Sequence, residues 1–303
     1  MSSRTKALLA IVFAAFLWGS AGVVAKILLT RLDPFVINFY RYLLASLVIL
    51  PFFLKEKKAH LPWQTLILIS LLTAFNVNLF YIGLQTTTAN SAYLIGASVP
   101  LLTAFLAKFM IKEQVSMKKI LGVLTGLSGA LMIVILPAIE HGQMVSGDLT
   151  GNIVISVGVL LWAFYTIISR HSISTGKVSP LVFSAFNFFT TTGVSFLFAI
   201  TTKQQFFSPG VLQPTYVLTL LYTAIMVTVV TYVLFSWAVQ HIAATTASLK
   251  EYLQLFFGLL LNTLILGEAI TAGLLVGGVL IIVGVSIATG ANILREARGW
   301  LKK

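Results

Sequence analysis

Apolar residues run through this chain in long blocks, with little of the amphipathic spacing of a soluble helix. A ~30 Å hydrocarbon core takes ~20 apolar residues at ~1.5 Å rise each. Runs of that length predict ten helices, at 6–29, 34–54, 63–84, 89–111, 118–136, 149–170, 179–201, 213–238, 243–266 and 271–293. Pro34, Pro62, Pro180 and Pro214 stand near span starts, where the missing N–H is tolerated. Arg4 and Lys6 ahead of Ala7–Trp18 imitate a secretory signal. The apolar stretch continues to Leu29, however, so it is read as a first span.

The blocks repeat. At a constant offset of 155, Gln85 meets Gln240, Ala92 meets Ala247, Leu94 meets Leu249 and Glu113 meets Glu268, and the register continues to Gly122 over Gly277 and Gly129 over Gly284. Trp18 meets Trp162 and Lys26 meets Arg170 at offset 144, and Pro34 meets Pro180 at 146. The chain is therefore expected to be all-α, a polytopic membrane protein of ten transmembrane helices in two five-helix repeats, 1–140 and 148–303. Five is odd, so the second repeat must enter the membrane inverted. Loop charges agree, since cytoplasmic loops collect Lys and Arg: Lys55, Lys57 and Lys58 follow span 2, against Lys203 alone after span 7. Lys112, Lys118 and Lys119 follow span 4, and no basic residue follows span 9. Both termini are then cytoplasmic. Inverted repeats point to alternating access around a midplane site, and hence to transport.

Composition supports a lipid solvent. The 303 residues are 58% hydrophobic and 9% charged, with mean hydropathy +0.99, whereas a soluble domain is about 25% charged. A net charge of +12 would suggest nucleic acid on a soluble protein. Here the basic residues gather in short loops, where they set orientation and meet anionic lipid, so no nucleic-acid partner is expected. Zero cysteines exclude disulfides and thiolate chemistry. No nucleotide-binding loop, zinc motif or nucleophile elbow appears, and four scattered histidines form no cluster. No enzymatic activity, cofactor or metal is expected. Gly122–Gly126 and Gly273–Gly277 are G-x-x-x-G spacings that let helices approach closely, compatible with a monomer or a weak homodimer.

Charges inside spans carry the functional signal, because each costs ~2.5–3.5 kcal/mol at a helix centre on insertion scales. Lys250 and Glu251 lie about a third of the way into span 9. Neighbours on a helix point about 100° apart, so the two are not expected to face each other as an i,i+4 pair would. Lys250 either snorkels to the interface or faces a wet interior; the shorter Glu251 snorkels poorly and is the candidate proton-coupling acid. Arg41 in span 2 is weighted toward structure, and Lys26 and Lys108 read as interfacial anchors. Trp18 and Trp162 are too central for the interfacial aromatic belt and are expected as opposite walls of a cavity. Asn76, Asn78 and Tyr81 in span 3, Tyr93 in span 4 and Asn187 in span 7 are candidate polar contacts, each also serviceable as interhelical glue.

Trp18-Gly19 followed by Lys26, Arg41 within FYRYLLASL, Pro100 ending ASVP, Glu113 and GVLTGLSGALMIV together resemble EamA-type members of the drug/metabolite transporter superfamily. The paired tryptophans look like the YddG-type aromatic amino-acid exporter branch. The resemblance implies a ten-helix plasma-membrane carrier, in a bacterium the inner membrane, with inverted repeats, exporting amino acids or other metabolites, and Trp18 and Trp162 lining the cavity. The chain departs from the family at Gln254-Leu255, where Glu-Pro is common. The expected substrate site is Trp18, Asn78, Tyr81, Tyr93, Trp162, Asn187 and Lys250, with Lys250 meeting a solute carboxylate and Glu251 carrying a coupled proton. The rival is an exporter of hydrophobic cations, drugs or nucleotide-type metabolites; a lipid-handling protein or a scaffold ranks behind it.

Overall fold

The computed structural model describes residues 2–56, 62–87, 92, 95–112, 114–140, 149–174, 178–207, 211–266 and 272–289. Every regular element among them is helical. The first half contributes α1 (Ser3–Leu29), α2 (Pro34–Lys55), α3 (Trp63–Thr86), α4 (Val99–Met110) and α5 (Met117–Glu140). The second contributes α6 (Leu149–Ser174), α7 (Pro180–Thr201), α8 (Pro214–His241), α9 (Ala244–Ser248), α10 (Lys250–Leu266) and α11 (Ala272–Thr289). Six of these, α1, α2, α3, α6, α7 and α8, are 22 to 28 residues long and apolar enough to cross a bilayer. Inside lipid a backbone must satisfy its own hydrogen bonds, and helices do so within one segment. Leu47, Phe52, Leu54, Phe105, Phe109, Leu218 and Val279 are exposed on the outside of the bundle, as a lipid-facing surface requires.

Helix starts follow local chemistry. Pro34 and Pro180 each open a helix after a residue in extended conformation, Asp33 and Ser179, and the Ser179 hydroxyl accepts from the Val182 N–H. Two of the expected spans are interrupted. Ile225–Val230 inside α8 is a π-helical segment, a rare geometry that recurs at functional sites. The ninth span breaks between α9 and α10, where the Leu249 N–H reaches Thr246 O and the Tyr252 N–H reaches Leu249 O. Those i→i+3 bonds tighten the turn. As a result Lys250 opens a new helix, where an uninterrupted span would have kept it inside.

The two halves are related by an exchange of spans. α3 packs on α6 as α8 packs on α1, and α10 packs on α1 as α4 packs on α6, while α2 meets α7 and α5 meets α11. The matched pairs are antiparallel. Phe35 stacks on Phe198 with ring centroids 5.1 Å apart, and Phe53 meets Phe189 at the far end of the same pair at 5.4 Å. On α5 and α11, a Cβ on Gly122 would lie 2.5 Å from Gly284 O, and one on Gly129 would lie 2.6 Å from Gly277 O. These are the glycines that correspond in the repeat, each meeting the counterpart of the other. Only residues without a Cβ allow backbones this close.

Candidate functional site

Between the halves lies a cavity of about 150 Å³. α1 contributes Trp18, Gly22 and Ala25, α3 contributes Asn76, Phe80 and Tyr81, and α6 contributes Ile155, Val159 and Trp162. All sit from mid-helix toward the end of the bundle that carries Leu29, Thr86 and Leu149. Toward the opposite end, aromatic rings fill the interior: Trp162 stacks on Tyr165 at 4.7 Å, and Tyr165 lies 5.8 Å from Phe183 and 6.3 Å from Phe235. Arg170 closes that end by donating from Nη1 to Val239 O and Gln240 O, each at 2.8 Å. Among the described residues, the cavity lies toward the first of these ends and packed aromatic rings lie toward the second.

Trp18 and Trp162 face each other edge to face with centroids 5.9 Å apart. Tyr232 and Phe235 of α8 complete a box, 5.6 and 5.7 Å from Trp18. Into this box points Lys250. Its ammonium lies 4.1 Å from the Trp18 ring centroid, 4.8 Å from that of Trp162 and 6.0 Å from that of Phe235. It donates to Glu251 Oε1 at 2.6 Å and to Gln254 Oε1 at 3.2 Å. The expectation that adjacent Lys250 and Glu251 would not meet is thus corrected. The break at Leu249 frees the first turn of α10, and the four-carbon lysine stem folds over to the neighbouring carboxylate. Glu251 itself gains from standing in a first turn, where the helix dipole favours an anion.

With only 3% of its surface exposed, Lys250 does not snorkel. Burying an ion costs several kcal/mol unless it is paired and hydrogen-bonded. The carboxylate, the amide oxygen and two indole faces, each face worth up to about 2 kcal/mol when desolvated, together offset that cost.

Arg41 also lines the cavity. Nε donates to Thr228 Oγ1 at 2.5 Å, Nη1 to the Tyr81 hydroxyl at 3.4 Å and Nη2 to Val227 O at 3.3 Å. Val227 and Thr228 belong to the π-helical segment, so the irregular turn supplies the acceptors. Its guanidinium lies over the Tyr42 ring at 5.2 Å.

Of the residues expected at the site, Trp18, Tyr81, Trp162, Lys250 and Glu251 are brought together around the cavity. Asn78 is not. It bonds Asn38 at 3.2 Å and Ser195 at 3.0 Å, tying α3 to α2 and α7. Asn187 is likewise away from the cavity, donating to the Tyr165 hydroxyl at 3.0 Å. Both sit on the α2–α3–α7 or α6–α7 packing faces, where a buried amide must find a protein partner. Tyr93 and the Lys26 side chain lie outside the described residues. Lys108 is exposed, as an interfacial anchor would be.

Sequence reasoning missed Tyr232, Phe235, Phe80 and the cavity position of Arg41. A signal for two of them was present, because the 155-residue register extends back to Phe80 over Phe235.

The EamA-like transporter family matches residues 5–135 and again 149–290. An uncharacterized transporter of Archaeoglobus fulgidus is 29% identical over 296 residues, covering 95% of this chain and 98% of that protein. The WAT1-related protein At5g64700 of Arabidopsis thaliana is 28% identical over 291 residues, covering 84% and 80%. A crystal structure 18% identical in sequence superposes with a TM-score of 0.79 over 94% of this chain and 97% of its own.

Proposed function

Because the chain belongs to the EamA-like transporter family, and is therefore a multi-pass membrane transporter and not an enzyme, we propose that it exports small amphipathic metabolites, amino acids foremost and aromatic ones among them. The carrying observation is the cavity between the inverted halves, lined by Trp18 and Trp162, which touch each other edge to face instead of standing as opposite walls, and by the charges of Arg41, Lys250 and Glu251. Among the described residues, two cations against one carboxylate leave the lining net positive, which favours a solute bearing a negative group over a hydrophobic cation. The one-sided hollow supports alternating access: exchange of the two halves' roles would fill this side and open the other. The loop charges argue for the cytoplasmic placement of both termini, in the plasma membrane of the cell, and hence for a cavity facing outward here.

Tyr81, Trp18 and Trp162 supply the surface against which an apolar side chain rests. Glu251, already paired with Lys250, is the residue proposed to take up a proton when the pair separates. The test is counterflow in liposomes loaded with a panel of amino acids and organic cations. Exchange of at least one amino acid is expected, with Trp18→Ala and Trp162→Ala reducing its flux by an order of magnitude or more while eluting as folded protein. Exchange of organic cations alone would move the reading to its rival, and unchanged flux in both tryptophan variants would remove the walls from it.

A further inference from the structure

Of the three charges that the described residues place in the cavity, Lys250 and Glu251 satisfy each other at 2.6 Å. Arg41 has no carboxylate among the described residues, although it is only 5% exposed. A guanidinium carries five N–H donors, and Arg41 spends three on Thr228, Tyr81 and Val227. One N–H on each terminal nitrogen is left over, the number that the two oxygens of a carboxylate accept in a forked pair. The indole N–H of Trp162, a residue of the cavity lining, is buried without an acceptor. An uncompensated buried cation is a costly arrangement. It becomes a favourable one when a ligand brings the missing charge.

From this we infer that Arg41 is the anion subsite of the cavity and receives the carboxylate of the transported solute, while Lys250, held by Glu251 and Gln254, does not. The inference rests on reading the cavity as the transport site and narrows its solute to an organic monoanion or a zwitterion. A forked guanidinium also fits phosphate. A single surplus charge within a largely aromatic and aliphatic lining is balanced by one carboxylate, and a dianion would exceed it. Tyr81 and the π-helical carbonyl of Val227 are then positioning groups, which fix the plane of the guanidinium.

Binding measured by calorimetry on the full chain in lipid nanodiscs separates this from flux. The probes share one ring and differ in one group: 3-phenylpropionate, its amide, and 3-phenylpropylamine, with inorganic phosphate as a fourth. The carboxylate is expected to bind at least about tenfold more tightly than amide or amine. Arg41→Gln should erase that preference and Arg41→Lys should restore part of it. A chemical measurement covers a variant that fails to fold: 3-phenylpropionate, and not its amide, should protect Arg41 of the unmutated protein from phenylglyoxal. Equal binding of amide and carboxylate, no binding of the carboxylate, tighter binding of phosphate, or a preference that survives Arg41→Gln would each overturn the assignment. Carboxylate binding through Arg41 without counterflow would instead leave this subsite standing and sink the transport reading.

Discussion

The α5–α11 seam and the cavity are built from corresponding stretches of the two repeats and have met opposite fates. At the seam, Gly122 and Gly129 meet Gly284 and Gly277, so the contacts obey the repeat relation. At the cavity, Lys250 and Glu251 correspond to Ile95 and Gly96, and Arg41 corresponds at offset 146 to Asn187. Duplication persists where two backbones must touch, because any side chain on either copy breaks both contacts. At the cavity it persists in Trp18 and Trp162 but has been lost at the charges, as the proposed single-carboxylate solute would require of one cation. Symmetry is thus a property of the scaffold, and asymmetry marks the chemistry.

The comparison can be broken most severely at the seam. Gly284→Leu would drive a side chain into Gly126 N, which a Cβ already approaches at 2.5 Å, and the folded, monodisperse fraction in size-exclusion chromatography should fall to near zero. Gly193→Ala, with nothing within 4 Å of its Cβ, should elute as the unmodified protein does. On the asymmetric side, Glu251→Gln leaves Lys250 without its carboxylate. Flux measured under imposed proton gradients should lose most of its pH dependence, and an unaltered profile would separate Glu251 from coupling. Apart from the silent Gly193→Ala, the smallest effect should come from Asn78→Ala, which removes a buried tie between α3 and its neighbours. About 1 kcal/mol of stability is at stake for such an intramembrane bond, seen as a drop of a few degrees in melting temperature, with solute affinity unchanged.

Much of the architecture was legible because bilayer thickness fixes helix length and because the repeat is written in matched glycines, prolines and tryptophans. Lys250, Glu251, Trp18 and Trp162 were legible for a related reason: charge and indole at mid-span are costly or unusual enough to stand out. What escaped was set by geometry that residue type does not encode. Asn78 and Asn187 look like any polar group in a span, and only their neighbours Asn38, Ser195 and Tyr165 tie them to packing. The structural reading of Arg41 agrees with its bonds to Thr228 and Val227; its cavity position gives no sequence signal, because nothing local announces that α8 leaves its α-helical course beside it. The Lys250–Glu251 contact was hidden by the same kind of irregularity, the tightened turn at Leu249. Membership of the YddG-type branch, suggested by the tryptophans, finds no support in the relatives' names, which establish the superfamily only.

The wide turn at Ile225–Val230 also sets the phase of α8. One residue added to a helical course rotates all that follows by about 100° relative to all that precedes it. Upstream, Tyr216 meets Thr30, which caps α1, and Tyr222 meets Ser20 of α1; downstream, Tyr232 and Phe235 meet Trp18 on the same helix. An unbroken α-helix would present one of these groups to α1 and turn the other away. The bulge acts as a clutch between two faces, letting a single span hold to α1 near one end of the bundle and wall its centre.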